Sequence, residues 1–67
     1  MGDEIDLQEL RQWLHDLNNR VGVILALSEL LQLEQLSPKA AERTRTIEEK
    51  SLELRELLQK ISNRYIR

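Results

Sequence analysis

Residues 10–35 read LRQWLHDLNNRVGVILALSELLQLEQ and place Leu10, Leu14, Leu17, Val21, Ile24, Ser28, Leu31 and Gln35 at alternating spacings of four and three. Downstream, Ala40, Thr44, Ile47, Ser51, Leu54, Leu58, Ile61 and Tyr65 repeat the pattern. Twelve of these sixteen positions are apolar, which is the heptad seam of packed helices. The two registers do not join, because extending the first past Gln35 selects Pro38, Glu42, Arg45 and Glu49, a solvated face. The break falls at Leu36-Ser37-Pro38. Ser37 suits an N-cap, Pro38 the first helical position, and proline disfavours helical angles in the residue before it. The chain thus predicts one domain over residues 1–67, with helix one over about 4–35, a turn at about 36–37 and helix two over about 38–66.

Asp3 or Asp6 can cap helix one, and Arg64 and Arg67 suit the dipole at the end of helix two. A turn this short makes the helices antiparallel neighbours. Leu10 and Leu14 are then expected near Ile61 and Tyr65, and Val21 near Leu54. Trp13 and Tyr65 read as packing residues at the open end. Ser28, Thr44 and Ser51 are small enough for close helix approach, with hydroxyls able to bond back to the preceding turn.

Size then constrains the assembly. A chain of 67 residues buries only about 60% of the surface its unfolded form exposes, and with no cysteine it has no disulfide to compensate. Between Val21 and Leu33 apolar side chains point in almost every direction, as in a helix buried on most sides. The fold class expected is all-α: an antiparallel helical hairpin, two copies of which form a dimeric four-helix bundle. The chain is expected to be a homodimer.

Composition excludes several functions. Twelve acids against ten lysines and arginines leave no basic stripe for nucleic acid. The absence of Cys and the single His exclude Cys-based and His-rich metal sites. The longest apolar run, Val21 to Leu27, is far short of the roughly 20 residues that span a bilayer, so no membrane insertion is expected. The acidic start Met1-Gly2-Asp3-Glu4 does not read as a secretory signal, which makes the cytoplasm the expected compartment. Met1-Gly2 also suits a segment cut from a longer protein.

The face of helix one opposite the seam is different. At 100° per residue, Asn19 lies about 40° from His15, while Gly22 and Ala26 each lie about 20° from it, and Val23 and Leu30 flank this stripe. A lone exposed His is ordinarily a polar surface residue, and Asp16 and Arg20 at i,i+4 are an ordinary surface pair. Gly22 costs a helix interior about 1 kcal/mol. It reads either as a tolerated defect or as a place where a partner comes close. Taken together, the group has chemical content: an imidazole is a nucleophile near neutral pH, a neighbouring carboxylate can orient it, and an amide one turn on can position a water or a phosphoryl oxygen.

The segment His15-Asp16-Leu17-Asn18-Asn19-Arg20-Val21-Gly22-Val23-Ile24 resembles the H-box of sensor histidine kinases in the form H-D-[FL]-N-N-L-L-x-x-I. It is also similar to the H-D-x-x-N-K-L-x-x-I stretch of citrate-sensor kinases and of the sporulation phosphorelay phosphotransferase. The resemblance implies a dimerisation and histidine-phosphotransfer domain, a hairpin that pairs into a four-helix bundle. By that resemblance His15 is the phosphoacceptor and Asp16 the assisting acid. Asn19, with Asp16, matches the [DE]-x-x-[NT] pattern used in dephosphorylating a partner's aspartyl phosphate. A response-regulator receiver domain would dock over Asn18, Gly22, Val23, Ala26 and Leu30. The common H-E-x-x-x-P-L form differs, with Pro where this chain has Arg20.

The glycines are Gly2 and Gly22 alone, too few for a phosphate-cradling loop, so the chain is not an autonomous kinase. The resemblance puts ATP and magnesium on partner domains, with an ATP-binding kinase domain acting in cis or in trans and no cofactor or metal bound by this chain. The alternative is a non-catalytic dimerisation or adaptor module that docks a regulator or kinase without phosphotransfer. The charges of helix two, Glu56–Lys60 among them, read as a solvated face with some ion pairs. A membrane-surface hairpin is disfavoured by the mixed charge of the polar face.

Overall fold

Asp6 starts the first helix. Its backbone is extended and its carboxylate accepts the amide proton of Gln8 at 2.9 Å, satisfying one of the unpaired donors of a helix N-terminus. In the computed structural model, which describes residues 6–66, α1 spans Leu7–Leu31 and α2 spans Pro38–Tyr65. The alternative cap Asp3, helix residues 4 and 5, and Arg67 lie outside the described residues. The two helices pack as a hairpin about 53 Å long.

Helix α1 ends at Leu31, four residues before the expected boundary, and the connection runs over 32–37. No glycine terminates it. The amides of Leu33 and Glu34 bond instead to the carbonyls of Leu30 and Leu31 at 3.1 and 3.0 Å, the tighter i→i+3 pattern of a fraying end. Ser37 is extended and its Oγ accepts from the Ala40 amide at 3.1 Å, with Pro38 entering α2. The turn needs more chain than two residues, because it must both cross to the neighbouring helix and place an extended residue before proline.

The seam splits into two halves that the periodicity does not separate. Leu14, Val21 and Ser28 of α1, with Thr44, Ser51 and Leu58 of α2, are buried between the helices, and Leu25 is buried beside them. The intervening set, Leu17, Ile24 and Leu31 with Ile47, Leu54 and Ile61, is 38–47% exposed. Ile24, Ile47 and Leu54 line one shallow depression, so this second set forms an apolar flank along one side of the hairpin.

At the open end, Leu10 and Ile66 pack on a cluster of Leu14, Val21 and Leu58. Leu58 and Ile66 are thus the α2 residues in this cluster, while the expected neighbours Ile61, Tyr65 and Leu54 are exposed. Trp13 and Tyr65, expected as packing residues, are 53% and 60% exposed. Trp13 precedes Leu14 by one residue, about 100° round the helix, and is mostly exposed.

The buried hydroxyls satisfy themselves. Ser28 Oγ donates to Leu25 O, Thr44 Oγ1 to Ala40 O and Ser51 Oγ to Ile47 O, each at 2.7 Å, and no buried side-chain polar atom among the described residues lacks a partner. On the surface, the Lys50–Glu53 pair forms at 3.3 Å. Among the described residues the Glu56–Lys60 pair is absent, which is no anomaly for exposed charges with little net attraction. No helix among the described residues is long and apolar enough to cross a membrane.

Candidate functional site

His15 sits in the middle third of α1 and is exposed. With Leu14 directed into the hairpin, His15 lies about 100° further round the helix, beside the inter-helix groove and away from the apolar flank. Asn19, one turn on, brings its Nδ2 to 3.3 Å from His15 Nε2. With the amide N–H donating, the contact uses the Nε2 lone pair of the tautomer that carries its proton on Nδ1. The contact orients the ring, and in that tautomer Nε2 is the nitrogen with the available lone pair. At 3.3 Å the bond is long for its type, so an incoming electrophile displaces it at little cost.

The Asp16 carboxylate does not bond to the His15 ring. Successive helical residues diverge by about 100°. Its Oδ1 accepts from Gln12 Nε2 at 3.2 Å, and no hydrogen bond joins it to His15. Nor does Arg20 take the carboxylate, since its guanidinium donates to the Asp16 backbone carbonyl at 3.2 Å. Of the three residues assigned to chemistry, the structure joins His15 and Asn19 and sets Asp16 apart.

The five residues assigned to docking are all exposed. Gly22, Val23, Ala26 and Leu30 run from His15 toward the turn, with Val23 and Leu30 59% and 57% exposed. A Cβ built on Gly22 meets nothing within 4 Å, so nothing inside the hairpin calls for a glycine there. Asn18 falls on the other side of His15, in the groove between the helices.

That groove, of about 510 Å³, brings His15 and the docking residue Asn18 together with residues to which the sequence assigned no role. Arg11 and Asn18 reach it from α1, and Arg55, Gln59 and Asn63 from α2, over an apolar floor of Leu14 and Leu58. The signal for the α2 members was a polar stripe at Arg55, Gln59, Ser62 and Asn63 containing no acid, in a helix otherwise rich in glutamate. Among the described residues no cluster of three or more His, Cys, Asp or Glu could hold a metal.

Comparison with protein-family models, with curated proteins and with solved structures yields no match to this chain.

Proposed function

We propose that the chain is a two-component or phosphorelay signalling module in which His15 accepts a phosphoryl group and passes it to an aspartate of a response-regulator receiver domain. The observation that carries this reading is the exposed His15 ring held through Nε2 by Asn19 on the outer face of a helical hairpin. Nε2 attacks phosphorus with its lone pair, the donor's bond to phosphorus breaks, and the electron pair leaves with the donor. Asn19 then sits one turn away, able to hold a phosphoryl oxygen or a water, which suits a phosphatase contribution as well. ATP and magnesium belong to the partner domains, with the kinase domain in cis or in trans. The receiver docks over Asn18, Gly22, Val23, Ala26 and Leu30, where Gly22 leaves the helix backbone open to close approach. A bundle of this kind would work in the cytoplasm.

The same reading makes the protein a homodimer. Among the described residues, the four buried apolar side chains Leu14, Val21, Leu25 and Leu58 are a small core. The flank of Leu17, Ile24, Leu31, Ile47, Leu54 and Ile61 supplies the rest when a second copy covers it, giving the four-helix bundle with His15 on its outside.

The test is chemical. Incubation with phosphoramidate should yield acid-labile, alkali-stable phosphate on the wild-type chain and none on His15→Ala. Label that persists unchanged in His15→Ala overturns the assignment. The second reading is a non-catalytic dimerisation or adaptor module, favoured by the Asp16 carboxylate bonding to Gln12 instead of His15. Full biological activity of His15→Ala would select it.

A further inference from the structure

The groove beside His15 has a charge opposite to that of the chain. Twelve acids outnumber ten lysines and arginines over the sequence, yet the lining holds two arginines and no carboxylate. Arg11 and Arg55 approach it from different helices. Neither has an acid three or four residues away on its own helix, whereas Arg20, Arg45, Lys50 and Lys60 each have one. Among the described residues, neither guanidinium forms an ion pair. The remaining polar lining, Asn18, Gln59 and Asn63, adds amide donors. Two unpaired guanidiniums and several N–H groups beside an imidazole form a receptor for a compact oxyanion. Arginine matches phosphoryl oxygens with a rigid, two-pronged donor set.

We propose that Arg11 and Arg55 form a phosphoryl-binding subsite that holds the oxygens of the group being transferred at His15. This deepens the phosphotransfer reading and rests on it for its purpose, although anion binding in the groove can be observed without transfer. In the reaction with phosphoramidate, a new N–P bond forms at His15 Nε2 while the donor's P–N bond breaks. The electron pair departs with the donor nitrogen as ammonia, and the ring keeps its proton on Nδ1. The phosphoryl group carries close to two negative charges throughout. Arg11, one turn before His15, and Arg55, across the groove, neutralise them on the side away from Asn19.

The experiment has two arms on the full chain. In the first, inorganic phosphate is titrated while backbone and side-chain N–H signals are followed by NMR. Shifts should concentrate at Arg11, His15, Asn18, Arg55 and Gln59, and affinity should fall about tenfold in Arg11→Gln or Arg55→Gln, the loss expected for one charge-assisted contact. In the second arm, the initial rate of His15 phosphorylation by phosphoramidate should fall about tenfold in the same variants. Arg11→Lys and Arg55→Lys should recover part of it, since the charge remains while the fork is lost. Circular dichroism of each variant confirms that the helices persist. Phosphate shifts scattered over other basic residues, an adventitious ion only, overturn the subsite, as does phosphorylation at the wild-type rate in both glutamine variants. Groove binding that depends on the two arginines, without phosphorylation of His15, supports the subsite and overturns the phosphotransfer reading instead.

Discussion

At the level of single residues, Gly22 and His15 stand on the same face of α1 for different reasons. Gly22 weakens the helix and gains nothing from the hairpin, because the space a methyl group would occupy is open. Gly22→Ala should therefore stabilise the isolated chain by about 1 kcal/mol, the helix-propensity difference. A urea titration should show a higher midpoint with an unchanged slope; a lower midpoint would show a close contact at this position. The position of His15 could be read from the sequence, since periodicity alone turns it away from Leu14. The bonding of Asp16 could not. Gln12 and Arg20 are both four residues from it, and charge favours Arg20, yet the neutral amide takes the carboxylate while Arg20 reaches the carbonyl. Exposed side chains with several partners in reach choose among small energies, which residue type does not rank.

At the level of the elements, the start of α2 was legible and the end of helix one was not. Ser37 and Pro38 carry local instructions, a side-chain acceptor and a fixed φ, and α2 begins where they place it. Ser37→Ala should cost about 1 kcal/mol by removing that acceptor, read as a lowered unfolding midpoint, whereas Ser37→Asp should keep most of the stability. The end of α1 has no such instruction. Leu33, Glu34 and Gln35 are compatible with continued helix, and the stop at Leu31 comes from the geometry of turning toward α2. The groove was hidden for a related reason. That Arg55 and Gln59 face Arg11 and His15 depends on the axial alignment of the two helices, a tertiary property.

For the molecule as a whole, the heptad pattern identified an apolar set without saying which neighbour each member faces. One half of it, Leu14, Val21 and Leu58 with Ser28, Thr44 and Ser51, closes the hairpin, and the other half lines its side. The pattern is the same for both halves, as it would be if each helix met two partners in the proposed four-helix bundle. If the flank pairs two copies, Ile24→Glu should convert a dimer into a monomer in light scattering and lower its helicity at micromolar concentration. A dimer of unchanged mass would assign the contact to another surface.

The three buried hydroxyls of the seam have a mechanical consequence. Ser28, Thr44 and Ser51 each spend their hydrogen on a carbonyl of their own helix, so none of them ties α1 to α2. The hydroxyl-bearing positions of the seam thus carry no polar key, and what resists sliding of one helix along the other is the fit of Leu14, Val21 and Leu58 and, at the closed end, the length of the connection. Alignment is set by that fit and that length, and the hydroxyl-bearing positions bear load without indexing it.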